Sequence, residues 1–128
     1  SCRNSHINSV RRKRSLEHLS WNEYEKLCTA YLRKIGVQAH LSKAGADGGI
    51  DIHARLKSKK IIVQCKHWKK PVGVATVREM YGLLHEQAAH SAIVFSSSRF
   101  SKPAWQFAKG KPIYLITGEK LLTEIDRL

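Results

Sequence analysis

Asp51, Gln64 and Lys66, near the middle of the 128-residue chain, are the residues best suited to chemistry. Gln64 and Lys66 lie two apart in a segment of alternating polarity, so on an extended strand both project from one face. Ile50 to Leu56 and Lys60 to His67 both alternate in this way, and the polar link Lys57-Ser58-Lys59-Lys60 makes them a hairpin. With the turn centred between Lys57 and Ser58, Asp51 lies opposite Gln64. A carboxylate, an amide oxygen and an ammonium then converge at cross-strand distance. Hard oxygen ligands can hold Mg²⁺ on a phosphate, while a cation orients or deprotonates water and offsets charge on phosphorus. The set therefore suits phosphodiester hydrolysis. Asp51 taken alone reads equally well as a turn residue; its register with the other two favours chemistry. Asp47 reads better as a turn former. Gly45, Gly48 and Gly49 fit a sharp turn or a close approach to phosphate.

These groups need elements to position them. Ser20 can cap a helix and Glu23, three residues on, completes a capping box. Trp21, Tyr24, Leu27, Cys28, Tyr31, Leu32 and Ile35 recur at helical spacing until Gly36 stops the helix. Glu25 falls on the inward arc of that helix, where an acid is costly unless paired or bound to metal, and so is a better candidate than Glu23 for a third oxygen ligand. Val37 to Leu41 reads as a short strand before the turn-rich segment 42–49. A second helix is predicted over Val74 to Ala88, with Val77, Met80, Tyr81, Leu84 and Ala88 on one face. Ala92 to Phe95 reads as a buried parallel strand. Ser101 can cap a third helix over Pro103 to Lys109, Ile113 to Ile116 a last strand, and Glu119 to Leu128 a terminal helix. Trp105 and Phe107 are assigned to the core. The order α-β-β-β-α-β-α-β-α predicts an α/β fold, a mixed sheet with helices on both faces.

Lys and Arg number 23 against 10 acidic residues, a formal charge of +13. A polyanionic partner is implied. Arg3, Arg11, Arg12, Lys13 and Arg14 sit in a segment without periodicity, so residues 1–15 are expected to form a flexible basic arm and 16–128 the folded domain. Without those five, 18 basic residues still face the 10 acids. Lys69 and Lys70 flank Trp68, which can pack on a sugar or base or else close the core at a strand end. Arg78 on the second helix and Arg99 after Ser96, Ser97 and Ser98 are candidate phosphate contacts, as is Lys43 in the glycine-rich turn; each also reads as a plain surface residue. His53 shares the face of Asp51 and is expected in solvent, whereas His67 points away from Lys66. Cys2, Cys28 and Cys65 form no close pair, which argues against a disulfide framework and for a reducing cytoplasm, and zinc spacing is absent. No apolar run is long enough to span a membrane and no secretory signal opens the chain. Because the first residue is Ser1, further domains or an anchor in a longer protein stay open.

Leu19-Ser20-Trp21-Asn22-Glu23-Tyr24-Glu25, Gly45-Ala46-Asp47-Gly48-Gly49-Ile50-Asp51 and Val63-Gln64-Cys65-Lys66-His67-Trp68 together resemble the Mrr-type restriction endonuclease catalytic domain of the PD-(D/E)xK nuclease superfamily. Pro71-Val72-Gly73-Val74, Val77-Arg78-Glu79-Met80-Tyr81-Gly82, Phe100-Ser101-Lys102-Pro103-Ala104 and Lys111-Pro112-Ile113 extend the likeness over nearly the whole body. The resemblance implies a restriction-endonuclease-like fold of core order αβββαβ followed by a C-terminal αβα. It implies a Mg²⁺-dependent endonuclease, with Mn²⁺ as substitute, cutting double-stranded DNA that is often methylated. Asp51 becomes the principal metal ligand, Gln64 stands in for the superfamily's second acid, Lys66 is the catalytic lysine and Glu25 the first-helix acid. No small-molecule cofactor is called for, and cutting both strands suggests a homodimer. A repair or junction-resolving nuclease on the same fold, a non-catalytic basic DNA-binding module and an RNA substrate remain alternatives.

Overall fold

Apolar side chains at helical and strand spacing meet on the two faces of one sheet. In the computed structural model residues 16–43 and 48–126 are described. The expected arm over 1–15, with Cys2, and the turn residues Gly45 and Asp47 lie outside them, as do the last two positions of the terminal helix. Helix α1 is Trp21–Lys34, followed by strands β1 Gln38–Leu41, β2 Ile52–Leu56 and β3 Lys59–Lys66. Then come α2 Val74–Glu86, β4 Ser91–Ser96, α3 Lys102–Ala108, β5 Ile113–Thr117 and α4 Gly118–Asp126. The sheet order is β1-β2-β3-β4-β5, antiparallel across the first three strands and parallel from β3 to β5. This is the predicted α/β architecture.

Strand alternation divides the core in two. Val63 and Cys65 of β3 join Tyr24, Cys28 and Leu32 of α1 and Leu121 of α4 on one face. Ile62 joins Val77, Met80 and Leu84 of α2 and Ala104 of α3 on the other. Each such fully buried aliphatic contributes about 1.5–3 kcal/mol relative to exposure. Among the described residues no helix is long and apolar enough to cross a membrane.

Leu56 pairs with Lys59, so the hairpin turn is Lys57-Ser58 alone, with Lys57 in the left-handed region at φ 59°. The turn centre is as expected, but the link is two residues rather than four. Helix α2 ends at Glu86, and Ala88 is exposed at φ 52° rather than on the apolar face. Trp105 is 46% exposed, which corrects its assignment to the core; its ring meets Phe100 edge-on. Helix α3 is two turns long and turns Ala104 and Ala108 inward, so the neighbouring tryptophan faces out. Trp21, at 42% exposure, likewise stands at the open start of α1.

Gly118 marks the tightest junction. A Cβ there would lie 2.2 Å from the carbonyl oxygen of Ser97, so only glycine lets α4 begin against the loop after β4.

Candidate active site

Asp51 sits just before β2, where the regular ladder gives way. Ile52 pairs with Val63, and the Asp51 N–H donates to the Val63 carbonyl at 2.8 Å. Its carboxylate reaches past Gln64 to accept the Cys65 N–H at 2.7 Å, and its carbonyl accepts from Ser42 N–H at 2.9 Å. Asp51 is thus anchored on both sides of Gln64, the placement its register predicted, although it is not itself part of the strand.

Glu25 is brought to the same place from α1. Ser20 Oγ accepts from Glu23 N–H at 3.1 Å and Glu23 Oε1 accepts from Ser20 N–H at 2.9 Å, so Glu23 is consumed by the cap. Glu25, half-buried, lines a cleft of about 500 Å³ with Asp51, Lys43 and Gly49. Burial first, and the Glu25 carboxylate beside it, push the Asp51 carboxyl up to about 6, while the Cys65 N–H hydrogen bond and the Lys66 charge pull the other way. Two crowded carboxylates form a site that favours a cation.

Gln64 lies on β3 at 8% exposure, and its buried Oε1 has no hydrogen-bond partner among the described residues. Leaving such an acceptor unpaired costs about 1–3 kcal/mol. Gly49, at φ 102°, packs against the other end of the amide, since a Cβ there would stand 3.4 Å from Gln64 Nε2. Lys66, two residues on, is half-buried with its Nζ 4.7 Å from the centroid of the Trp68 ring. Lys70 Nζ lies 5.3 Å from the same ring. Trp68 is accordingly neither wholly core nor free: its flank packs on the second core cluster while its ring faces two ammonium groups.

The expected nucleic-acid contacts separate into groups. Lys43 belongs to the Asp51 cleft. Trp68, Lys69 and Arg99 line a second cavity of about 550 Å³ at the carboxyl ends of β3 and β4. Arg78 is exposed on α2, its guanidinium 5.5 Å from the Phe107 ring centroid, and lines neither cavity. His53 is half-buried and stacks with His40 across β1 and β2 at 6.0 Å, rather than standing alone in solvent.

Sequence reasoning missed two participants. The Cys65 amide orients Asp51, and no side-chain pattern reports a backbone donor. His67 makes three contacts of its own: its ring stacks on Tyr24 at 4.8 Å, its Nε2 is 2.6 Å from the Leu19 carbonyl and its Nδ1 is 2.8 Å from Ser97 Oγ. Its position directly after Lys66 was the available signal.

Cys28 and Cys65 are free thiols buried in the first core cluster. Among the described residues no cluster of three or more His, Cys, Asp or Glu side chains is poised to hold a metal. The candidate oxygen donors are instead two carboxylates and an amide.

Residues 16–125 match the family model of the Mrr catalytic domain, described as a restriction endonuclease. The chain belongs to this family. The type IV methyl-directed restriction enzyme EcoKMrr of Escherichia coli (strain K12) is 30% identical to the Mrr catalytic domain described here over 117 residues, 84% of this chain. The chain spans 38% of the length of that relative. In fold it is similar to the DNA modification-dependent restriction endonuclease AspBHI, with a TM-score of 0.77 at 16% identity over 93% of this chain and 35% of the other. The MspJI restriction endonuclease in complex with a 27-mer oligonucleotide superposes with a TM-score of 0.62 at 20% identity, over 81% of this chain and 27% of that one.

Proposed function

We propose that this Mrr catalytic domain is the cleavage part of a restriction enzyme that hydrolyses phosphodiester bonds in double-stranded, methylated DNA. The observation that carries the reading is the meeting of the Asp51 and Glu25 carboxylates in one cleft, with the buried Oε1 of Gln64, unpartnered among the described residues, on the adjoining strand. Together they fit a divalent cation, as three hard oxygen donors. Asp51, Gln64 and Glu25 would hold Mg²⁺, or Mn²⁺ in its place. When bound, the ion supplies Lewis-acid polarisation of the scissile phosphate.

The side chains of the domain do the rest. The Cys65 amide holds the Asp51 carboxylate in one orientation. Lys66 orients the attacking water; as the neutral amine it accepts the proton of that water, and the ammonium so formed offsets the negative charge that develops on the phosphate. Trp68 keeps the Lys66 ammonium near the strand end. Lys43, Lys69, Lys70 and Arg99 contact DNA phosphates next to the cut, and Arg78 contributes at longer range through its charge. Methyl-directed restriction by EcoKMrr supports modified DNA as substrate. Recognition of the modification belongs to further domains of a longer protein, residues 16–128 form the catalytic unit, and two copies cut the two strands in the cytoplasm.

Supercoiled plasmid, methylated and unmethylated, incubated with the protein and Mg²⁺ or Mn²⁺ should be nicked or linearised. Cutting should stop with EDTA and fall about a thousandfold in Lys66→Ala, with DNA binding retained. Salt-sensitive binding with no metal-dependent cutting of either plasmid would instead favour the binding-module reading.

A further inference from the structure

The metal reading requires Glu25, on a helix, to keep its distance from Asp51, just before β2, and from Gln64, on β3. Nothing covalent joins these elements near the site, and the Glu25 side chain is half-buried at the cleft. Directly after Lys66 the chain leaves β3 through His67. The imidazole lies nearly parallel to the ring of Tyr24, with 20° between the planes. Tyr24 is fully buried and immediately precedes Glu25. At its edge, His67 Nε2 donates to the carbonyl of Leu19, the residue before the Ser20 cap. Because a carbonyl can only accept, Nε2 carries the hydrogen, while Nδ1 meets the Ser97 hydroxyl, whose Oγ also lies 3.4 Å from the Trp68 carbonyl. Ser97 in turn lies in the loop after β4, where its N–H donates to the Lys66 carbonyl at 3.0 Å.

We infer that His67 is a positioning residue that fixes Glu25 relative to Asp51 and Lys66 by clasping the start of α1 to the ends of β3 and β4. The inference rests on the proposed metal site and extends it to a residue that supplies no metal ligand. Losing the clasp leaves Asp51 anchored by Cys65 N–H and Gln64 on its strand, but frees the first turn of α1 to shift by enough to spoil one of three ligands. Residues that orient metal ligands from behind typically change metal affinity by about 10–100-fold.

The test is Mn²⁺ binding followed by electron paramagnetic resonance on the full 128-residue chain without DNA. The wild type, Asp51→Ala, His67→Phe and His67→Gln are compared, with thermal melts of each in EDTA. His67→Phe keeps the stack on Tyr24 and removes both hydrogen bonds; His67→Gln keeps an amide donor for Leu19 and removes the ring. We expect His67→Phe to bind Mn²⁺ about tenfold more weakly while still melting cooperatively, with His67→Gln recovering part of the loss. Unchanged Mn²⁺ affinity in both His67 variants, beside a wild type that binds and an Asp51→Ala that does not, overturns the clasp and leaves the metal site standing. A wild type that binds no better than Asp51→Ala overturns the metal site and the clasp together.

Discussion

Asp51→Asn should abolish cleavage and yet stabilise the metal-free protein, and the size of that gain follows from the site. Asparagine is nearly isosteric, and its Oδ1 can still accept the Cys65 N–H that Asp51 accepts at 2.7 Å. What it removes is a charge that burial and Glu25 disfavour. Asp51 titrates near 6 in the fold against an ordinary value of 3.8, so as pH rises the unfolded chain releases its proton first. The contribution of this group to stability is therefore full below 3.8, declines across the window and is lost above about 6. An unscreened shift of this size corresponds to about 3 kcal/mol. Asp51 is only half-buried, and solvent screening brings the figure to about 1–2 kcal/mol. At pH 8 in EDTA the variant should melt about 4–8 °C above the wild type, and the two curves should converge near pH 3.5. Added Mg²⁺ should raise the melting temperature of the wild type and leave that of Asp51→Asn unmoved. Calorimetry across pH 3.5 to 8 checks both. A variant less stable than the wild type at pH 8 in EDTA, or a difference that ignores pH, refutes the assignment of Asp51 as a charge strained by burial and awaiting a cation.

Two further outcomes test the frame around the site. Gly118→Ala places a methyl 2.2 Å from the Ser97 oxygen and 2.9 Å from its carbonyl carbon, both backbone atoms. Its urea midpoint should fall by the equivalent of about 2–3 kcal/mol, and an unchanged midpoint contradicts the close approach of α4 to the loop after β4. Lys69→Ala and Lys70→Ala should each lower the slope of log affinity for duplex DNA against log salt by about 1, measured by fluorescence anisotropy. A slope that stays put takes that lysine off the DNA.

Much of the site can be read before any coordinates exist, because its placement depends on short-range rules. Alternation within β3 puts Gln64 and Lys66 on one face, and a turn centred between Lys57 and Ser58 carries Asp51 to Gln64. The hairpin is local in sequence, so local pattern is enough. The capping box at Ser20 and Glu23 is equally local, and by occupying Glu23 it leaves Glu25 as the acid available to the cleft. Sequence pattern fails at element ends and at half-exposed aromatics. Trp105 sits at apolar spacing, yet a two-turn helix has room to bury only Ala104 and Ala108, and the indole is left outside. Ala88 continues the periodicity of α2 but falls beyond its last turn, where the chain adopts a left-handed conformation.

By itself, then, the sequence determined the order of elements, the family, and which carboxylates, amide and lysine are candidates, since each follows from periodicity, capping or a motif within about fifteen residues. Only the tertiary structure decided that Glu25 reaches Asp51 across the gap between helix and sheet, that the Gln64 oxygen is buried without a partner among the described residues, and that the Cys65 amide bonds Asp51 while the ring of His67 meets Tyr24, Leu19 and Ser97. Those relations join residues far apart in the chain. Their energies arise from desolvation and from backbone donors, which no pattern of side chains along the sequence records.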